Sequence, residues 1–156
     1  MNETLKKPEV VIFAGPNGSG KSTITDLLRP TGMSYINADE IQRVLGCENI
    51  EAAQIAEERR ELHLKEHKSF CFETVLSTPR NLNLLRRAKQ ENFFIRCYYV
   101  LTADAQINVA RVASRVSAGG HDVPVEKIIS RYDRALDLVP PPRSYMGVPT
   151  APSPIW

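Results

Sequence analysis

The residues best suited to chemistry lie near the start of the sequence, in a short glycine-rich segment. Residues 15–22 read GPNGSGKS and fit the pattern G-x-x-x-x-G-K-[ST] at every fixed position. Glycines allow successive backbone N–H groups to turn inward around an anion. Lys21 offers a mobile positive charge to the β- and γ-phosphates of a nucleotide, and the Ser22 hydroxyl suits Mg²⁺. The pattern therefore predicts a nucleotide and Mg²⁺ as ligands, with Ser22 on the metal and the phosphates held by Gly15, Pro16, Asn17, Gly18, Ser19, Gly20, Lys21, Ser22 and Thr23. It does not name the reaction, because motors, switches, ABC-type ATPases and small-molecule kinases share such a loop.

Two carboxylates follow later strand candidates, at the sheet edge where open parallel sheets bind their ligands. Asp39 comes two residues after a candidate at 34–37, and Glu73 closes another at 69–73. A carboxylate there can take a proton from a substrate hydroxyl or hold the waters of Mg²⁺. The alternatives are structural, because Asn37 has the position of a helix cap and Asp39 that of a first-turn acid.

Four arginines lie on two predicted helices that flank Gly119-Gly120-His121; they are Arg111, Arg115, Arg131 and Arg134. Arg111 and Arg115 are four residues apart and therefore share one helix face. A mobile lid that delivers guanidinium groups would stabilise the charge of a transferring phosphate and exclude water. The alternative is a pair of amphipathic helices with solvated arginines.

A rival motif lies at 63–67, where HLKEH matches the H-x-x-E-H pattern of zinc peptidases. The segment belongs to a highly charged predicted helix, and no third ligand follows with its own helical motif. We therefore predict two solvated histidines and no zinc site.

The elements that must position these residues alternate along the chain. Strands are predicted at 10–15, 34–37, 69–73 and 93–101, separated by helices of about a dozen residues, which is typical of βαβ units in a parallel sheet. The segment Ser77-Thr78-Pro79 predicts a helix with a hydroxyl cap and a first-turn proline. Asp104 comes too late after the fourth strand for the metal-binding carboxylate of a motor or ABC-type ATPase, and a helix start is predicted there.

Composition narrows the classes of protein and partner. The 156 residues are 42% hydrophobic and 24% charged, which indicates one globular domain and excludes a disordered chain. A net charge of +2 provides no basic excess for nucleic acid. No apolar run approaches the roughly 18 residues of a membrane span, no signal peptide is legible, and three unpaired cysteines indicate reduced thiols. We expect a cytoplasmic protein.

Taken in order, four segments resemble the zeta-toxin family of P-loop kinases, in the branch often labelled predicted ABC-type ATPases. They are VIFAGPNGSGKST at 11–23, INADEI at 36–41, FETVLS at 72–77, and RVASRV with GGHDVP at 111–124, closing at Ile128 and Arg131-Tyr132. The similarity covers residues 10–138. It implies a three-layer α/β P-loop kinase-like domain over 1–139, with a parallel sheet in the order second, third, first, fourth strand and an arginine-bearing helical lid.

The same resemblance implies roles for individual residues. Asp39 would be the base that deprotonates an acceptor hydroxyl, and Lys21, Arg115 and Arg131 would stabilise the transferring phosphate. Asn37, Asp39, Glu73 and Thr74 would form the acceptor pocket. Zeta toxins phosphorylate UDP-N-acetylsugars and are held inactive by an antitoxin protein, so the expected activity is ATP-dependent phosphotransfer to a small metabolite. The alternatives are an ATP-binding or NTPase module without a small acceptor, and an inactive truncated copy.

The composition changes at Pro140, beyond which lie six of the 11 prolines. This pattern predicts an irregular tail over 140–156. The family normally continues with another strand, and we therefore expect a truncated or frame-shifted copy with weak ATP affinity and little kinase activity. The edge at 93–101 would then favour self-association, unless the tail covers it with Trp156 as anchor.

Overall fold

The computed structural model describes residues 6–138, in which a four-stranded parallel sheet carries helices on both faces. The strands are β1 (Glu9–Ala14), β2 (Ser34–Tyr35), β3 (Phe70–Thr74) and β4 (Phe94–Tyr99). The helices are α1 (Lys21–Leu28), α2 (Ala38–Leu45), α3 (Asn49–Lys65), α4 (Pro79–Gln90), α5 (Ala105–Ser117) and α6 (Val125–Leu138). The predicted tail at 140–156, with Trp156, lies outside the described residues.

The strand order is β2-β3-β1-β4, and all three neighbouring pairs are parallel, as the sequence predicted. Strand β1 lies inside the sheet because Val10–Ala14 is apolar on both faces, and each of these residues is fully buried. Strand β2 ends two residues earlier than predicted, because Asn37 leaves the sheet to cap α2. Since parallel strands end at one edge, the phosphate loop, α2 and the end of β3 meet there.

Each face of the sheet has its own core, which gives the three layers. The larger core joins alternate residues of β1 and β3 to α2, α3 and α4; its sheet residues are Val10, Ile12, Ala14, Phe70 and Phe72. The smaller core joins Val11, Phe13 and Cys71 to Ile24 of α1. Tyr98 of β4 also packs here, stacked on Phe13 with 5.2 Å between ring centroids.

Helices α5 and α6, which the sequence predicts to be a lid, pack against each other. Each helix buries apolar side chains, Val112 on α5 and Ile128, Tyr132 and Ala135 on α6. Two tyrosine hydroxyls hold α6 beside the end of β4. Tyr132 donates to the backbone oxygen of Thr102 at 2.7 Å, and Tyr99 donates to that of Ala135 at 2.7 Å. The lid is therefore anchored at the sheet edge that bears the phosphate loop.

Two predicted helix starts have different outcomes. The hydroxyl cap predicted for α4 is wrong, because Thr78 occupies the cap position without a capping hydrogen bond from its side chain. The start of α4 depends instead on Pro79, whose fixed φ suits the first turn and which has no N–H to satisfy. The helix start predicted at Asp104 is confirmed, since its carboxylate accepts a 2.7 Å hydrogen bond from the Gln106 N–H.

The described residues also bear on the predictions about thiols, membrane spans and the edge of the sheet. The three cysteines, Cys47, Cys71 and Cys97, are free thiols, as predicted. None of the helices in residues 6–138 has the length and apolar character needed to cross a membrane. Within the same range β4 has a neighbour on only one side, so it forms an edge of the sheet.

Candidate functional site

The glycine-rich segment forms a turn between β1 and α1 that only glycine can make. Gly20 caps α1 in a left-handed conformation, with φ of +92°, so the helix begins at Lys21. Gly18 has φ of +78°, and a Cβ there would lie 2.6 Å from the backbone oxygen of Asn108. A Cβ on Gly15 would lie 2.2 Å from the backbone oxygen of Val100. The loop is therefore closely packed against the lid and the end of β4.

The loop opens onto a cavity of about 550 Å³. Its walls are the loop and first turn of α1 on one side, and Val100, Arg111, Val112 and Arg115 on the other. The start of α1 adds the positive end of its dipole to the loop N–H groups. Together these groups make the cavity suited to an anionic, phosphate-bearing ligand.

Lys21 lies where the predicted charged residues converge. Burial lowers the pKa of its amine, and the nearby carboxylates of Glu73 and Asp39 act in the opposite direction. The guanidinium groups of Arg115 and Arg131 are also near enough to lower this pKa further. The fold therefore brings together five residues that the sequence analysis singled out.

Glu73 is held by two hydroxyl groups. Its Oε2 accepts a 3.1 Å hydrogen bond from the Ser22 hydroxyl, and its Oε1 accepts one of 3.0 Å from the Tyr35 hydroxyl. The Tyr35 oxygen in turn accepts a 2.6 Å hydrogen bond from the side-chain amide of Asn37. Burial raises the pKa of Tyr35, so its phenol stays protonated and remains a donor to Glu73.

The structure confirms both structural alternatives: Asn37 caps α2, and Asp39 lies in the first turn of that helix, where the dipole favours a carboxylate. The side-chain oxygen of Asn37 accepts from the N–H groups of Asp39 at 2.7 Å and Glu40 at 3.3 Å. Among residues 6–138 the Asp39 carboxylate itself makes no hydrogen bond or ion pair from its side chain. The cap and the candidate base are therefore different residues, and the Asp39 oxygens are available to a ligand.

A second cavity, of about 310 Å³, adjoins the first. Every residue that lines it is polar; they are Ser22, Asp26, Arg29, Tyr35, Asn37, Asp39, Glu40, Arg43 and Glu73. Ser22 lines both cavities, so the two meet at the phosphate loop. Thr74, the fourth residue predicted for the acceptor pocket, is not among the lining residues. Its hydroxyl oxygen accepts from the Leu76 N–H at 2.9 Å and the Asn81 amide at 2.8 Å.

Three of the four lid arginines face the phosphate loop. Arg111 donates to the backbone oxygen of Ser19 at 3.2 Å, and Arg131 donates to the side-chain oxygen of Asn17 at 3.0 Å. Arg115 lines the larger cavity while donating to the backbone oxygen of His121 at 2.9 Å. Arg134 instead donates to the Ser130 oxygen of its own helix.

The structure reveals two site residues that sequence reasoning missed. Asn108, fully buried in α5, donates from its amide to the backbone oxygen of Asn17 at 2.8 Å and accepts from the Thr102 hydroxyl. Its signal in the sequence was a polar residue four positions before Val112, on the face that packs inward. Tyr35 was visible only as a residue two positions before Asn37.

The rival zinc motif gains no support from the geometry. His63 bonds through Nδ1 to the backbone oxygen of Arg59, and His67 lies 3.6 Å from a carboxylate oxygen of Glu91. No group of three or more His, Cys, Asp or Glu side chains is placed to hold a metal ion in the described part of the chain.

Comparisons of the sequence with known proteins found relatives but no family. No family model matches the chain. An uncharacterized protein of Haemophilus influenzae is 29% identical over 129 residues, which is 80% of this chain and 92% of that protein. A ribose import ATP-binding protein of Streptomyces avermitilis is 33% identical over 118 residues, which is 72% of this chain but 20% of that protein.

Several solved structures share the fold, including the following two. A chain of the Pnkp1/Rnl/Hen1 RNA repair complex aligns with a TM-score of 0.65 at 19% identity. The alignment covers 89% of this chain and 48% of that one. A candidate kinase from Chloroflexus aurantiacus aligns with a TM-score of 0.61 at 18% identity. The alignment covers 81% of this chain and 78% of the kinase chain. The prediction of a P-loop kinase-like α/β fold is thereby confirmed, whereas membership of the zeta-toxin family stays a prediction.

Proposed function

We propose that the protein is an ATP-dependent phosphotransferase that moves the γ-phosphate of ATP to a hydroxyl group of a small metabolite. One observation carries the proposal. A cavity with phosphate-binding geometry and a polar cavity containing the free carboxylate of Asp39 meet at Ser22. A nucleotide in the first would present its terminal phosphate to a hydroxyl in the second, which is the arrangement that phosphoryl transfer requires.

In the proposed reaction Asp39 is the general base. Its carboxylate takes the proton of the acceptor hydroxyl as that oxygen forms a bond to the γ-phosphorus. The bond between this phosphorus and the bridging oxygen breaks, and ADP leaves with the electron pair. Lys21 and the lid guanidinium groups of Arg115 and Arg131 stabilise the charge on the phosphate oxygens, because they lie together at the loop.

Magnesium fits the residues present at the loop. The Ser22 hydroxyl and the Glu73 carboxylate are hard oxygen donors within hydrogen-bond distance of each other. Mg²⁺ in phosphate sites typically uses one or two such protein ligands and completes its shell with phosphate and water. When bound, it neutralises charge on the β- and γ-phosphates.

The resemblance to zeta toxins names a UDP-N-acetylsugar as acceptor and an antitoxin as partner, and we carry both as part of the proposal. The polar lining of the second cavity supports a hydroxyl-rich acceptor, because side chains such as Asn37 and Glu40 can bond to hydroxyl groups. A second candidate function is an NTPase or ATP-binding module, which the similarity to the Streptomyces ATP-binding protein favours.

The test is a phosphotransfer assay in which purified protein, ATP labelled at the γ-phosphate and Mg²⁺ are incubated with a panel of sugars, polyols and UDP-sugars. Label on an acceptor supports the kinase. Free phosphate that does not depend on any acceptor supports the NTPase instead. In both cases Lys21→Ala should remove the activity, because it deletes a positive charge beside the phosphates.

A further inference from the structure

Glu73 has the place of the carboxylate that holds Mg²⁺ beside the phosphate-loop serine in P-loop enzymes, and we infer that Tyr35 is the residue that positions it for this role. This role differs from the acceptor-pocket role that the zeta-toxin resemblance implies for Glu73. It depends on the proposed binding of Mg²⁺ and ATP, but not on the identity of the acceptor.

The position of Glu73 in the sheet brings it beside Ser22 of the phosphate loop. In the parallel register, Glu73 of β3 pairs with Phe13 of β1, the strand that leads directly into the phosphate loop. Its Oε2 then reaches the Ser22 hydroxyl at 3.1 Å. Ser22 is the loop residue whose hydroxyl the sequence pattern assigns to Mg²⁺. A carboxylate and a hydroxyl in contact are the donor pair that this ion takes from a protein when phosphates supply the rest.

The other oxygen of Glu73 is held in a defined orientation. The Tyr35 oxygen accepts from the Asn37 amide at 2.6 Å, so its own proton is directed to Glu73 Oε1, which lies 3.0 Å away. With Oε1 engaged in this way, Oε2 is left facing Ser22. A ligand whose orientation is fixed in advance by such a partner binds its metal more tightly than one that must be ordered on binding.

The contrast with Asp39 separates two tasks. Both carboxylates line the same cavity and are near enough to Lys21 to act on its pKa. Glu73 is held through both of its oxygens by hydroxyl groups, whereas the Asp39 side chain has no polar partner within residues 6–138. A base must keep a lone pair open to the substrate hydroxyl. A metal ligand gains from being fixed, and the geometry points to Glu73 for that role.

The experiment measures the affinity of the whole chain for ATP by calorimetry, with saturating Mg²⁺ and with a chelator in its place. The ratio of the two dissociation constants is the magnesium factor. Four proteins are compared: wild type, Glu73→Gln, Tyr35→Phe and Asp39→Asn. The last is the matched control, because it removes one negative charge near Lys21 without touching Ser22.

Wild type should show a magnesium factor of about tenfold or more. Glu73→Gln should bring the factor close to one, because the carboxylate ligand of Mg²⁺ is lost. Its ATP affinity in the presence of chelator should be no lower than that of wild type, because a negative charge beside the phosphates is gone. Tyr35→Phe should give an intermediate factor, because the carboxylate remains but loses its orienting donor. Asp39→Asn should keep the wild-type factor.

A full magnesium factor in Glu73→Gln overturns the assignment, as does an equal loss of the factor in Asp39→Asn. A full factor in Tyr35→Phe overturns the positioning role. If Glu73→Gln keeps the factor but raises the KM for an acceptor, Glu73 belongs to the acceptor pocket while the proposed kinase stands. If Glu73→Gln loses the factor and no acceptor is ever labelled, the assignment stands while the proposed transfer fails.

Discussion

The side-chain amide of Asn108 donates a 2.8 Å hydrogen bond to the backbone oxygen of Asn17, which ties helix α5 of the lid to the phosphate loop. The Asn17 side chain meanwhile accepts from Arg131 of α6 at 3.0 Å. A single loop residue therefore contacts both lid helices. The shape of the loop and the position of the lid depend on each other through this residue.

Replacing Asn108 tests that dependence. Asn108→Ala removes, from a fully buried position, the donor to the Asn17 backbone oxygen and an acceptor of the Thr102 hydroxyl, which should lower the free energy of unfolding by about 1–3 kcal/mol. ATP affinity should fall as well, because the loop loses its support. Urea unfolding and calorimetry measure the two effects. The exposed Asn83→Ala serves as control and should change stability by less than about 0.5 kcal/mol. Equal stability of the two variants would contradict the structural role of Asn108.

Gly18 and Gly32 provide a matched pair for the phosphate loop. Both have a left-handed backbone, with φ of +78° and +77°. A Cβ added to Gly18 would lie 2.6 Å from the Asn108 backbone oxygen, whereas a Cβ added to Gly32 would meet no atom within 4 Å. Gly32→Ala should therefore show only the cost of the conformation, about 1–2 kcal/mol. Gly18→Ala should cost more and also abolish measurable ATP binding. If the two variants unfold at the same urea concentration and bind ATP equally, the close approach of α5 is wrong.

The lowered pKa of Lys21 predicts how ATP binding changes with pH. The amine is charged below its pKa and neutral above it, and burial shifts this change to a lower pH than for an ordinary lysine. ATP affinity should therefore fall as the pH rises through the lowered pKa of Lys21. Lys21→Arg keeps its charge over this range and should give a flatter profile, even if its affinity is lower throughout. Parallel profiles for the two proteins would show that another group causes the loss.

The exposed edge of the sheet gives a prediction on association. Strand β4 has no neighbour on its outer side among residues 6–138, and the Phe94 side chain is 54% exposed on it. Such an edge favours pairing with a second copy. Sedimentation should show association that grows with concentration, and Phe94→Lys should weaken it. A wild-type chain that stays monomeric at every concentration would refute this prediction.

The sequence predicted most of the fold because the relevant signals are local. The β-branched run at Val10–Ala14 marks a strand buried on both faces, and the position of Asn37 before an acidic first turn marks a helix cap. Both signals lie within a few residues of the element they define. The strand order is not a local signal, and its correct prediction depended on the family resemblance instead.

The contacts that make the site were beyond local patterns. Tyr35 and Glu73 are 38 residues apart, and Asn17 and Asn108 are 91 apart. Neither sequence separation indicates a contact. The register of β2 on β3 creates the first contact, and the packing of α5 on the loop creates the second. The sequence therefore indicated which residues could bind phosphate, but not which carboxylate is fixed and which is free.

The most direct measurement of the central claim compares wild type with Asp39→Asn in transfer of labelled γ-phosphate from ATP to the acceptor found in the panel, at saturating ATP and Mg²⁺. The account predicts that Asp39→Asn binds ATP no more weakly than wild type but transfers phosphate at least about 100-fold more slowly, which is the usual contribution of a general base. Full transfer activity in Asp39→Asn would contradict the account.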